Sequence, residues 1–345
     1  MRESPSWLDQ KLGPWRLDRI KWVHYTGGSV TDFSMIADLD YLEDFSTYEC
    51  LDIDYQPLLR HADTIRYLGL DPFPDNPEEF FSQFHNLEML LVQRDLDLSR
   101  LTHLKRLKNI RYYYRASSQF EYLSVFKNLD YVDLTCTKIE SVKPLVKLKK
   151  LEELILDGCE QLQDIAGVDQ LPRLKHLSLD GCYNIKDLSP IANCPNLEIL
   201  ALPPQGRLSM FAELENLKTL YSPLSHLDPN DLTPLGHFPK LKHLNLNWSR
   251  WKQYDGVVLD LKLLKDKADL EYLAACRITD SDDLANFPSL QKLIINDSVI
   301  KNADSILSLK KLDSLYLWNC EISDETLSRL QTRIFSDVFK YSRRK

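Results

Sequence analysis

Apolar residues recur in the pattern L-x-x-L-x-x-L-x-x-L-x-L along almost all of this 345-residue chain. Leu145, Leu148, Leu151, Leu154 and Leu156 form one clear copy, and Ile306, Leu309, Leu312, Leu315 and Leu317 form another. With the third apolar residue taken as the start, copies begin at Ile20, Tyr48, Ile65, Leu87, Leu107, Leu129 and Leu151. They continue at Leu174, Leu197, Leu217, Leu241, Leu270, Leu290 and Leu312. The fourteen copies are spaced by about 22 residues. A chain that returns to the same pattern at this period stacks equivalent turns on one another.

Two periodicities lie within each copy. The alternation in L-x-L is that of a β-strand with its leucines facing inward. The spacing of three in L-x-x-L-x-x-L suits a 3₁₀ or short helical turn on the opposite side. Each copy therefore adds one short strand to a parallel sheet. One turn cannot bury both of its faces, so neighbours supply the core and the ends need caps. Residues 1–19, with Trp7, Trp15 and Leu17, suit an N-terminal cap. Ser323, Asp324 and Glu325 read as a helix start, with Leu327, Leu330, Ile334 and Val338 along one face, predicting a capping helix over 323–341 and a short tail.

The copies LEELILDGCEQL and LKHLSLDGCYNI fit L-x-x-L-x-L-x-x-N/C-x-L, with Cys159 and Cys182 at the N/C position. On these residues the chain resembles leucine-rich-repeat proteins over about residues 20–322, in the short-repeat style of bacterial internalins and a phosphatase regulatory subunit. The resemblance implies an α/β solenoid of about 14 repeats, curved, with a parallel sheet on the concave face and 3₁₀ or short helices and loops on the convex face. It also implies that Cys159, Cys182 and Cys320 bond to the backbone of the next turn. Ser222 and Ala275 depart from the pattern at strand leucine positions, and the spacings around Tyr48 and after Leu241 are irregular. The long repeat after Leu241 carries an insertion near 247–266 with Trp248, Trp251 and Tyr254, a candidate binding loop.

With the starts assigned, residues at start+2, +4 and +6 should face outward. In the first half these include Cys50, Asp52, Asp54, Tyr67, Asp71, Arg111, Tyr113, Tyr131, Asp133, Glu153, Asp157, His176 and Asp180. Seven carboxylates accompany one arginine, and Asp157 and Asp180 should meet on adjacent strands. Like charges so placed cost stability unless a cation arrives. Later turns present Tyr221, Tyr272, Tyr316 and Trp318, residue types that dominate interface hot spots. An acidic and aromatic face of this kind predicts a basic protein partner.

Composition narrows the alternatives. Leucine supplies 62 residues, about 18%, and glycine only 10. Phosphate-cradling loops need closely spaced glycines, and neither G-x-x-x-x-G-K-[ST] nor G-x-G-x-x-G occurs. Seven scattered cysteines without a C-x-x-C pair read as reduced and structural, which fits a cytoplasmic setting. The net charge of −8 disfavours direct nucleic-acid binding, and no apolar run is long enough for a membrane helix. The best catalytic grouping is Glu153 beside His176 with Ser178 along the strand, which lacks an oxyanion donor. Asp157 and Asp180 are too few oxygens for a hard cation.

The expectation is therefore a non-catalytic binding protein without metal or cofactor. An immunity-type inhibitor of a basic toxin or nuclease fits the charge. A phosphatase-type scaffold and a secreted effector binding a host protein are the alternatives.

Overall fold

The computed structural model describes residues 20–28, 32–50, 53–92, 98–112, 118–222, 228, 231–247, 258–333 and 339–343. The expected N-terminal cap (1–19) and half of the insertion, 248–257 with Trp248, Trp251 and Tyr254, lie outside the described residues. The chain divides into two units, one of Met1–Ile139 with Pro144–Leu151 and one of Glu140–Lys143 with Glu152–Lys345.

Among its described residues the first unit holds six parallel strands in chain order: β1 (Trp22–Gly28), β2 (Asp44–Cys50), β3 (Tyr67–Gly69), β4 (Met89–Val92), β5 (Asn109–Tyr112) and β6 (Tyr131–Asp133). The second unit continues the same construction. Its strands are β7 (Glu153–Ile155), β8 (His176–Ser178), β9 (Ile199–Ala201), β10 (Thr219–Tyr221), β11 (His243–Asn245), β12 (Tyr272–Cys276), β13 (Lys292–Asn296) and β15 (Ser314–Ile322). Two extra strands, β14 (Val299–Ile300) and β16 (Phe339–Arg343), both pair with β15 in parallel. Fourteen strands carry the fourteen copies, and each unit's sheet is open. The chain thus has the leucine-rich-repeat solenoid fold.

The L-x-x-L-x-x-L segments form the expected single turns, such as the 3₁₀ helices Gln56–His61, Val168–Gln170 and Leu261–Leu264. Inward positions stack into columns. Leu154, Leu177, Leu200, Leu220 and Leu244 are all buried in the second unit. The first unit fills the same space with rings, and Phe33 meets Phe45 edge to face at 5.7 Å. Ser222 and Ala275 point inward as well and are buried.

One repeat start moves. Trp22 pairs with Asp44, and Asp44 with Tyr67, so the second copy begins at Leu42 and not at Tyr48. Leu42 is fully buried while Tyr48 is 48% exposed. The intervals on either side become 22 and 23 residues, from 20 to 42 and from 42 to 65, and the irregularity vanishes. Thr47 hides the true register, because it occupies a leucine position and spends its hydroxyl on Tyr55 at 2.8 Å.

The corner after each strand is the most constrained part of the turn. In eight turns the start+7 residue adopts a left-handed conformation: Gly27, Glu49, Cys136, Gly158, Gly181, Arg277, Asp297 and Asn319 all have positive φ, while Pro72 and Pro204 hold the place in two others. At Gly181 (φ 74°) a side chain would also press within 3.3 Å of the Gly158 backbone. Non-glycine residues accept a strain of about 1–2 kcal/mol there. The next residue then turns inward. Cys182 donates its thiol to the Leu156 carbonyl at 3.0 Å and Cys320 to the Ile295 carbonyl at 3.5 Å, so the bond runs to the preceding turn, opposite to expectation.

Start+1 carries a ladder. Its charges alternate as Lys21, Glu43, Arg66, Glu88 and Lys108 in the first unit, and as Glu152, Lys175, Glu198 and Lys218 in the second. Lys108 bonds Glu88 at 2.9 Å, Lys175 bonds Glu152 at 2.7 Å and Lys218 bonds Glu198 at 2.7 Å. The Lys108 ammonium holds the Glu88 carboxyl below the ordinary range. The backbone carbonyl at this position accepts twice, as Glu88 does from the amides of Lys108 and Asn109 at 2.8 and 3.0 Å. Asparagines just before the start add a rung: Asn86, Asn128, Asn196 and Asn216 each donate to a carbonyl of the preceding turn.

Among the described residues the C-terminal helix covers Asp324–Arg333, and the predicted span of 323–341 fails at its far end, which is a strand. Phe339–Arg343 alternates with period two and adds β16, with Phe339 opposite Leu315 and Tyr341 opposite Leu317. Ile334 and Val338 lie outside the described residues.

The buried column predicts the response to truncation. Leu177→Ala should destabilise the protein by about 2–5 kcal/mol in chemical denaturation, as expected for a core cavity. Glu198→Ala, at an exposed rung, should cost no more than about 1 kcal/mol.

Candidate functional site

The strand face of the first unit is built from start+2 and start+4 residues of six turns. The corrected register puts Asp44 and Ser46 beside His24, where the spacing from Tyr48 places Cys50, Asp52 and Asp54. Cys50 is buried in the corner, and Asp52 lies outside the described residues. Asp54 leaves the sheet altogether and accepts the Gln56 amide at 2.9 Å, at the start of a 3₁₀ helix. Trp22 is 68% exposed and stands 6.0 Å from the His24 ring, which meets Tyr67 edge to face at 5.9 Å. Further along, Arg111 lies 4.8 Å from the centre of the Tyr131 ring. Tyr113 lies outside the described residues.

The acidic column has a different origin from the one its charge implies. Asp71 accepts the Glu49 amide at 2.9 Å. Asp133 is buried and accepts the amide and hydroxyl of Thr135 at 3.0 and 2.6 Å. Asp157 accepts the Ser178 hydroxyl at 2.5 Å and the Asp180 amide at 3.1 Å. The repeated D-G-C is thus a structural corner: glycine takes the left-handed position and cysteine plugs the interior in both copies, and in the first the Asp157 carboxylate ties down the following turn. Asp157 and Asp180 are adjacent, yet the Asp157 charge is held by donors from the chain itself.

Two groupings have the makings of acid–base pairs. Glu153 lies 3.2 Å from His176 Nδ1, but the Ser178 hydroxyl donates to Asp157 and so is turned to a different partner. On the first unit, His24 Nδ1 meets Ser46 Oγ at 2.5 Å and His24 Nε2 lies 3.4 Å from Asp44. Burial raises the Asp44 carboxyl above its ordinary value, partly offset by His24. Both groupings sit on open strands whose amides are engaged in the parallel ladder. Preorganised oxyanion donors, the largest contribution in acyl transfer, have no evident source there.

The C-terminal strands assemble a cluster that sequence spacing anticipates only in part. Tyr272, Lys292 and Tyr316 lie on successive strands β12, β13 and β15, with Lys340 on β16 beside Tyr316. The Lys292 ammonium lies 5.5 Å from the Tyr272 ring centre and 5.7 Å from that of Tyr316. Lys340 lies 5.9 Å from Tyr316, which stacks on Trp318 at 6.4 Å. Trp318 remains 41% exposed. Burial raises the Tyr272 hydroxyl above its ordinary value, with a smaller contribution from Tyr221. The two lysines are absent from the contacts that spacing predicts; for Lys292, a start+2 position flanked by tyrosines on the neighbouring turns is the available signal.

No family model matches the chain, and no curated protein matches it. Solved structures do. An internalin from Listeria monocytogenes, InlF, is 20% identical over 94% of this chain and 88% of its own, with a TM-score of 0.53. The Toll–Spatzle complex of Drosophila contains a chain 16% identical over 81% of this one and 44% of its own, also with a TM-score of 0.53. At these identities the likeness is one of fold.

Two outcomes follow from these contacts. Asp157→Ala leaves two donors without their acceptor and should destabilise the protein by about 1–3 kcal/mol in denaturant titration, more than Asp157→Asn, which keeps an oxygen there. Burial pushes the thiols of Cys194 and Cys276 up to about 12 and that of Cys320 to about 11. Cys136 alone of the seven is not buried. An aromatic disulfide reagent at neutral pH should therefore titrate one thiol per native chain promptly and the other six only after unfolding.

Proposed function

We propose that this leucine-rich-repeat chain is a non-catalytic scaffold that binds a partner protein through the strand face of its C-terminal unit. The observation that carries the reading is the Tyr272–Lys292–Tyr316–Trp318 cluster. Aromatic rings left on an open face expose apolar area that association would cover. Here the rings are fixed by strands and by ammonium–ring contacts, so little side-chain freedom remains to be lost on binding. Tyr221 lies on the same face, on β10.

A basic toxin or nuclease as the partner, and with it an immunity-type role in the cytoplasm, draws support from the net charge of −8 and from Glu153 on the strand face. That support is narrower than the sequence implies, because Asp71, Asp133 and Asp157 are bonded to the chain itself. The phosphatase-scaffold and host-binding readings rest on the style of the repeat alone.

The test is a quantitative capture with immobilised protein and with a Tyr316→Ala/Trp318→Ala variant whose melting curve matches that of the parent. The parent should retain one stoichiometric protein, and the variant should lose about 2–4 kcal/mol of that affinity. Equal retention by both would place the contact elsewhere and overturn the assignment.

A further inference from the structure

The turns entering β5, β6 and the strand after Leu151 share one conformation. In each, the amide at start−2 bonds the carbonyl two residues earlier: Lys105 to His103 at 2.6 Å, Lys127 to Val125 at 3.1 Å and Lys149 to Lys147 at 3.1 Å. The same position on three stacked turns is therefore lysine each time, and all three side chains are exposed. The next position adds Arg106 and Lys150, separated by Asn128. Asn128 links the turns, donating to the Lys105 carbonyl at 2.7 Å and accepting from Lys150 Nζ at 2.6 Å. Lys105, Arg106, Lys108 and Lys150 line a cleft of about 440 Å³, bordered by Glu88 and Asp130. All of these residues belong to the first unit.

The column contrasts with the ladder three residues further along each turn. At start+1 the charges alternate and neutralise one another. At start−2 like charges stand on successive turns, about 5 Å apart at strand spacing, which is destabilising in isolation. From Arg100 to Lys150 the chain carries 12 Lys+Arg against 4 Asp+Glu, although its net charge is −8. The acidity of the whole is therefore interrupted by a basic strip of definite geometry.

We propose that this lysine column is a docking surface for a short acidic segment of a partner protein. Three turns span about 10 Å, the length of three or four extended residues. That is short for a nucleic acid, whose binding gains from many phosphate contacts. The cleft also lacks aromatic rings for base stacking. The column is independent of the aromatic cluster on the C-terminal strands.

The test measures fluorescence anisotropy of a labelled hexaglutamate peptide with the full chain at low and moderate salt. The variants are Lys105→Gln/Lys127→Gln/Lys149→Gln and, as a control at an exposed lysine outside both the column and the aromatic cluster, Lys186→Gln. The expected result is binding that weakens with salt, falls about tenfold or more in the triple variant and is unchanged by Lys186→Gln. A thermal melt supplies a second readout: Lys127→Glu, which restores alternation, should raise the midpoint. Undiminished peptide binding by the triple variant would overturn the proposal. So would tighter binding of an oligothymidylate or of phosphatidylserine vesicles than of the peptide, and each of those results would name a different polyanion for the strip.

Discussion

Each turn of this chain must bring its backbone back to the same place about 22 residues later, and the corner after the strand decides whether it can. A strand of three residues offers few ladder bonds, so the corner cannot be left to chance. In eight turns a left-handed residue at start+7 turns the chain, and at Cys182 and Cys320 the residue after it drops a small side chain into the interior to bond the turn before. At the other end of the strand, the start+1 carbonyl receives two amides from the next turn. With both ends held, leucines at start+3 and start+5 fall into columns without further instruction, and burial of those columns stabilises the stack.

This explains which parts of the fold are legible in the sequence. Inward positions accept almost nothing but apolar residues, so their period stands out through most of the chain. The second turn is displaced in the sequence pattern because Phe45 and Thr47 hold its leucine places and the exposed Tyr48 resembles a core residue. Glycine would have marked the corner, but Glu49, Cys136, Arg277 and Asn319 occupy it under strain, and the marker is lost. With Leu42 as the start, Cys50 falls into the same inward place as Cys159, Cys182 and Cys320, a coincidence invisible in the displaced register.

The site is less legible than the fold for a related reason. A sequence displays the charge of an aspartate but not its hydrogen-bond donors. Asp71, Asp133 and Asp157 recur because corners need acceptors for amides that no strand serves, and a carboxylate accepts more strongly than a neutral oxygen. Their recurrence resembles a binding surface only when the backbone is left out. The outward direction of the tyrosines at start+2 and start+4 follows from alternation alone. Lys292 escapes such a reading because its role lies in two neighbours that are about twenty residues away in the chain and one strand away in space.

Repetition has one more consequence for charge. A residue placed once in a compact domain acts alone, whereas in a stack it joins a column whose members are about 5 Å apart. Columns of opposite charge hold neighbouring turns in register, as at start+1. A column of like charge works against the stack, and nothing in the corner geometry requires it, since the same turn carries histidine, valine or lysine at start−4 and asparagine, arginine or lysine at start−1. The fold therefore leaves these positions free to vary, and three consecutive lysines at one of them are a property of the surface and not of the scaffold. In such a chain, departures from alternation separate what the stack needs from what a partner needs.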